Sequence, residues 1–509
     1  MPRPFKGGDE GAIPISAEPT PCGAKRPDAS RFSARTFYAI VLIFLVAAFL
    51  RFYNLAQFPP GLYPDEAMNG NNVIEAQKTG DWKVFYPENN GREGLFLNLQ
   101  GLLLKSVGQN EPWVLRFPSA VFGTLSVIGL FFLLYELALL AKLRDPFAIA
   151  FAGAFMMATS LWHIIFSRIG FRAIMAPFFL TWGIYFAALA FRRMWFRAAV
   201  ISGIAFGLGM YSYIAYRLMP ALVLALLPSF WKRRGFWHIA VAVPLTAVIV
   251  ALPLGFYFFQ HPADFLGRTS QVSVFSSERP AYDLGKNILL TAGMFNFRGD
   301  SNWRHNIAGA PQLFFPVGIL FLIGFLLAIR RRSIFDWLML SWFFLAFLPV
   351  VTSNEGIPHA LRSILMIPAV FGLAGSGAFL IYEWLGKHLE AGQLKTLALA
   401  FLALLFINGY YSYFYAWGRS PEVKGAFAAD YVEIGRKINA LPQSEHKYVV
   451  VSAGGVLVRG VPMPAQTVMF ITDSFLPSDQ RLKNIHYLTR DQYESEKAEL
   501  SGKSLFFIR

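Results

Sequence analysis

The chain has 509 residues, 55% hydrophobic and 16% aromatic, with 15% charged and a mean hydropathy of +0.43. A soluble domain is nearer a quarter charged, so the composition excludes that class and specifies a polytopic membrane protein. The net charge of +15 sits in short loops between apolar segments, which is the positive-inside pattern of membrane topology and not a nucleic-acid surface.

Residues 1–35 are polar and rich in Pro, Gly, Ala and Ser, as expected of a disordered cytoplasmic tail ahead of a signal-anchor helix. Cys22 is the single cysteine, so no disulfide framework and no cysteine metal site is expected. A membrane helix takes about 20 mostly apolar residues. Segments 36–53, 117–141, 146–166, 171–191, 198–216 and 218–230 meet that need, as do 237–259, 311–329, 334–352, 361–385 and 396–417. The stretch 218–230 is short and must borrow flanking residues. The total is about eleven transmembrane helices in a domain spanning 36–417.

Lys25, Arg26, Arg31 and Arg35 precede the first span and put the N-terminus in the cytoplasm. Lys142 and Arg144, Arg192, Arg193 and Arg197, Lys232 to Arg234, Arg330 to Arg332, and Lys387 with Lys395 then fall on the same side. The connections 54–116, 167–172, 216–217, 260–310 and 353–362 therefore face outward, in a multi-pass protein of the inner or plasma membrane. An odd number of spans leaves residues 418–509 outside. Strand-like runs at 447–452, 467–471 and 505–508, with a helical pattern at 428–441, read as a small extracytoplasmic α/β domain. Gly203, Gly207 and Gly209 have the small-residue spacing of close helix packing. No phosphate-binding loop or dinucleotide fingerprint occurs, so no nucleotide is expected as donor.

The outer loops hold the polar residues. Asp65 and Glu66 lie side by side in GLYPDEAMNG, where the plain alternative is a solvated turn. Arg92 and Glu93 follow in the same loop; Arg168, Arg172, Arg217, Arg304, His305, His359 and Arg362 gather in the other outer connections. Arginines on the side that topology disfavours can snorkel, but so many on one face suit an anionic ligand, because the guanidinium fork matches phosphate. An acidic pair beside a cationic set could bind a phosphate-linked substrate and take a proton from its acceptor. A transporter or flippase for lipid-linked sugars is the alternative, since intramembrane charges also mark transport paths. No inverted repeat supports it.

The stretches YPDEAMNG, NGREGLFLNLQGLLLKSVGQNEPWVLRFPSAVFGTLSV, WHIIFSRIGFRAIMAPFF, FRGDSNWRHNIAGAPQL and PHALRSI resemble membrane glycosyltransferases of the GT-C superfamily that use polyprenyl-phosphate sugars. The branch resembled is that of protein O-mannosyltransferases and lipid A aminoarabinose transferases, over most of residues 40–375. The resemblance implies a GT-C fold and transfer of mannose or a related sugar to a lipid, polysaccharide or protein hydroxyl, with inversion. It makes Asp65 the base and the outer Arg/His residues candidates for holding the donor phosphate; in the mechanism read here, Glu66 positions the acceptor or holds Asp65 and nearby cations. The sequence calls for no cofactor and leaves open a divalent ion beside Asp65 or Glu66.

Overall fold

A computed structural model describes residues 34–265 and 273–509; the expected tail and Cys22 fall almost wholly outside them. Each of the eleven apolar segments is helical. Among the described residues, seven helices are long and apolar enough to cross a membrane, and shorter apolar helices, such as Phe196–Gly209, lie between them.

The described residues begin with α1 (Ala34–Phe52), whose C-terminal end leads into the loop that carries the acidic pair. That loop is built from α2 (Pro64–Thr79), the two-stranded β1 (Phe85–Tyr86) and β2 (Arg92–Glu93), and α3 (Gly94–Val107). Pro64 opens α2 at a position where its missing N–H costs nothing, and Gly80 closes it in the left-handed conformation. The long α4 (Pro112–Leu140) returns through the membrane.

The segment 146–166 is two helices, α5 (Pro146–Thr159) and α6 (Leu161–Phe166), parted by an extended Ser160. After α7 (Met175–Arg193) and α8 (Phe196–Gly209) comes a 3-10 stretch, Ile214–Ala225, extended by Leu227–Ser229. A 3-10 helix rises about 2.0 Å per residue against about 1.5 Å for an α-helix, which is how so short a segment gains length. Helix α9 (Phe236–Gln260) packs on α8 through glycines. A Cβ on Gly207 would meet Val250 Cβ at 2.6 Å and the Ala247 carbonyl at 2.7 Å, so the small-residue spacing is a close backbone approach.

The C-terminal region carries a three-stranded parallel sheet: β3 (Lys447–Val451) lies between β6 (Ile485–Thr489) and β7 (Ser504–Ile508). The expected helix at 428–441 is Ala429–Ala440. The run 467–471 is not a strand. It lies in the helix Ala465–Thr472, every residue of which is buried. An apolar run this short fits a buried strand or a buried helix equally, and its packing against α2 decides between them. Strand β6, IHYLT, went unread because His and the flanking Asn484 mask its alternation.

This region is seated on the loop that carries α2. Thr467 Oγ1 donates to the Leu62 carbonyl at 2.9 Å, Asn71 Nδ2 donates to Gln466 Oε1 at 2.9 Å, and Lys78 bridges to Asp473 and Asp479 at 2.9 and 2.8 Å. The Phe470 ring covers Gly70, a position with no room for a side chain.

Candidate active site

Asp65 and Glu66 occupy the first turn of α2 and meet opposite surroundings. Glu66 is fully buried. The Arg116 guanidinium donates Nε–H to its Oε1 at 3.1 Å and an Nη2–H to its Oε2 at 3.0 Å. The amides of Gly170 and Tyr63 donate to the same carboxylate, the latter at 3.3 Å. Arg116 also donates to the carbonyls of Pro59 and Gly61, at 2.6 and 2.8 Å. The pair is a closed joint that ties the start of α2 to α4 and to the turn after α6. Of the two parts the sequence suggested for Glu66, these contacts favour holding the neighbouring structure.

Asp65 is half-buried. Among the described residues, the hydrogen bond to its carboxylate comes from Asn89 Nδ2, at 2.7 Å on Oδ1. A carboxylate held by one oxygen, at a helix N-terminus and only half-buried, can accept a proton.

Behind it runs a buried polar ladder. Arg92 donates to Asn69 Oδ1 at 2.6 Å, to Asn72 Oδ1 at 2.5 Å and to the Glu88 carbonyl at 3.2 Å. Burial, helped by the nearby Arg172 charge, pushes Arg92 down to about 10. Arg92 is therefore a spacer of the loop and not an exposed ligand. Glu93, also buried, accepts from Arg172 Nε at 2.7 Å and lies 3.7 Å from Arg217 Nη2. Two guanidiniums share one carboxylate there, which leaves positive charge in excess. The Arg217 guanidinium stacks on Phe258 and Phe265, at 4.9 and 4.3 Å from their centroids.

Arg168 departs from its expected role as a donor ligand. It is fully buried, and its Nη atoms donate to the carbonyls of Leu50, Tyr53 and Phe58 at 3.1, 2.8 and 3.1 Å. Its plane stacks on Tyr413 and Phe414. It terminates α1 by satisfying carbonyls that no helix continues, so its charge cannot reach a ligand. Arg51, which the sequence reading passed over as part of the first span, is buried in the same region and donates to Ala47 and Ala158 carbonyls at 3.0 Å, while meeting His163 Nδ1 at 2.6 Å.

A second cluster comes from loop 260–310 and the outer turn 353–362. Asp300 Oδ2 accepts from His305 Nδ1 at 3.0 Å and from the Ala360 amide at 2.8 Å, with His359 Nδ1 at 3.9 Å. Burial opposes the Asp300 charge, but the hydrogen bonds from His305 and from backbone amides outweigh it and hold the carboxyl below its ordinary range. Burial lowers His305, and burial with the neighbouring His305 takes His359 down to about 3. Both imidazoles are neutral at physiological pH, which is the ligating form. One ligand atom from each of Asp300, His305 and His359 lies within 4.8 Å of the others, a donor set of zinc type. Among the described residues, these three form a metal-ligand candidate.

Arg304 links the two clusters: its guanidinium lies 4.0 Å from the centroid of Tyr63, the residue that caps α2. Arg362 bonds the exposed Glu355 at 2.7 Å, and its Nη1 is buried with no partner among the described residues. Arg172, Arg217, Arg304 and Arg362 thus stay partly exposed, unlike Arg92 and Arg168. Sequence reasoning missed Asn89, Arg116 and the ligating aspect of Asp300. Arg116 had a signal, as a charge at the very end of an apolar segment.

No family model matches the chain, and no curated protein matches it by sequence. Solved structures match it in shape. The oligosaccharyltransferase of Archaeoglobus fulgidus in its apo form gives a TM-score of 0.53 at 12% identity, over 90% of this chain and 65% of that one. The chain thus spans under two thirds of that protein's length. The same archaeal AglB, in complex with an inhibitory peptide and a dolichol-phosphate, gives 0.51 at 13%, over 92% and 71%. ArnT from Cupriavidus metallidurans bound to undecaprenyl phosphate gives 0.55 at 13%, over 92% of this chain and 96% of that one. At these identities the likeness concerns the fold alone.

Proposed function

We propose that this chain is an integral-membrane glycosyltransferase that moves a sugar, mannose or a related one, from a polyprenyl-phosphate donor to an acceptor hydroxyl at the outer face. The observation that carries the reading is Asp65: a half-buried carboxylate fixed by Asn89, in the same loop as Glu93, on which two arginines converge. The dolichol-phosphate and undecaprenyl phosphate named with the structural neighbours support a lipid-phosphate donor.

In this reading the acceptor oxygen attacks the anomeric carbon as its proton passes to Asp65. The bond from that carbon to the phosphate oxygen breaks, the electron pair leaves with the lipid phosphate, and the anomeric centre inverts. Arg172, Arg217, Arg304 and Arg362 would neutralise the departing phosphate, each through charge-assisted hydrogen bonds. Glu66 and Arg116 would hold the turn from which Asp65 projects. Asp300, His305 and His359 would hold a divalent cation, which when bound supplies further positive charge on this face.

The topology belongs to the same reading, with the N-terminus cytoplasmic and residues 418–509 outside, in the cell's inner or plasma membrane. Contacts between the C-terminal region and α2 support one common face for Asp65 and that domain. The Arg144–Glu383 pair, at 2.7 Å, joins the connection after α4 to the last turn of the helix Ile367–Leu385, both assigned to the opposite side.

The test is incubation of the purified protein with a panel of polyprenyl-phosphate sugars, followed by mass spectrometry of candidate acceptors. Asp65→Asn keeps the shape and removes the proton acceptor. Its single-turnover rate should fall by about 10²–10⁴-fold with donor affinity unchanged. Full activity in that variant would remove Asp65 from the mechanism.

A further inference from the structure

We propose that Arg459 of the C-terminal domain is a positioning residue for Asp65, acting through the turn at residues 88–91. The proposal rests on the reading of Asp65 as the base.

Arg459 stands at the tip of a hairpin. Strands β4 (Leu457–Val458) and β5 (Val461–Pro462) pair Val458 with Val461, so Arg459 and Gly460 alone form the turn. Both have positive φ, +53° and +83°, as a type I′ turn requires. Asn, Asp or Gly fits the first position with less strain, so an arginine there points to a use for its side chain.

That side chain leaves its own domain. Its Nη atoms donate to the two oxygens of Glu75, on α2, at 2.9 and 2.8 Å, and its Nε–H donates to Glu88 Oε1 at 2.8 Å. The guanidinium also stacks on Phe475, at 4.6 Å. Three bonds from one planar fork to two carboxylates fix Glu88 relative to α2, which a single exposed ion pair would not do.

Glu88 begins the turn that reaches Asp65. Its Oε2 accepts from Asn72 Nδ2 at 2.7 Å, and its carbonyl accepts from Arg92. Asn89, the next residue, donates to Asp65. Asn89, Asn90 and Gly91 are all left-handed, with φ of +53°, +65° and +76°. Two non-glycine residues in succession do not keep that conformation unaided; surrounding contacts must hold it. Arg459 grips one end of this turn and Arg92 braces it from beneath. Freeing Glu88 releases Asn89, and with it the orientation of Asp65.

The experiment uses the full-length protein with Arg459→Ala, Arg459→Lys, Asn89→Ala and the Arg459→Ala/Asn89→Ala double variant. Hydrogen–deuterium exchange of peptides covering residues 86–93 should rise in Arg459→Ala, while β3 stays as protected as in the parent. In the panel assay, the single-turnover rate should fall by about ten- to a hundred-fold with donor affinity nearly unchanged. Arg459→Lys should recover part of the loss, since an ammonium meets one carboxylate but cannot fork between two. In the Asn89→Ala background, Arg459→Ala should cost little more, because both act on one contact. Unchanged exchange at 86–93, or losses that simply multiply in the double variant, would overturn the proposal. Loosened exchange together with a fully active Asp65→Asn protein would instead fault the assignment of the base and leave the grip of Arg459 on the turn standing.

Discussion

A helix turns about 100° per residue, so at the start of α2 one step carries the chain from the half-open Asp65 to the enclosed Glu66. The sequence shows two adjacent acids; only the partners that surround each one separate their roles. Glu66→Gln leaves Arg116 charged and buried without its counter-ion, since side-chain exposure is 0% for both partners. Breaking such a pair from one side costs roughly 3–5 kcal/mol, so this variant should lose thermal stability in detergent, where Asp65→Asn should not. The histidines make a prediction in pH. His359 titrates near 3 in the folded chain against an ordinary 6.5, so below about pH 6.5 the unfolded chain binds the extra proton. The stability that this neutral histidine contributes is whole above pH 6.5 and drains away as pH falls toward 3. The melting temperature should therefore drop more between pH 7.5 and pH 5 for the parent than for His359→Gln. Equal drops would mean that burial of His359 is not what couples folding to acid.

Among the elements, the α8–α9 pair gives the plainest link from sequence to packing. Gly203 and Gly207 let the two backbones approach until a Cβ at Gly207 would stand 2.6 Å from Val250. Gly207→Leu must push the helices apart, an overpacking cost of about 1–3 kcal/mol, visible as a lower melting temperature that Val250→Ala partly restores. Periodicity and hydropathy found such helices because a membrane demands long apolar runs. They failed at Ala465–Thr472, where TVMFI has strand-like composition and the burial of all eight residues came from neighbours far away in the chain. They also merged α5 and α6, since an extended Ser160 between two apolar stretches leaves hydropathy unbroken.

Over the whole molecule, basic connections and the seating of the C-terminal domain on α2 bear on the same question of sidedness. Reporter fusions after Trp417 should behave as extracytoplasmic, and fusions at residue 144 as cytoplasmic; the reverse result would invert the topology argued from the loops. What the sequence determined by itself was the class, the apolar helices and the polar loops between them that bear charge, because the bilayer imposes length, composition and charge bias on each segment separately. It also brought forward Asp65, through its local pattern in the first loop. Tertiary structure alone decided which charges remain reachable. Arg168 and Arg172 stand four positions apart in one connection, yet the first is spent on carbonyls at the end of α1 and the second meets Glu93 near the surface. Asp300, His305 and His359 converge from two loops, and Arg459 reaches Glu75 and Glu88 across more than 370 positions of chain. Local sequence sets the cost of placing a charge in a membrane protein. Which partner compensates that charge depends on distances that exist only once the chain has folded.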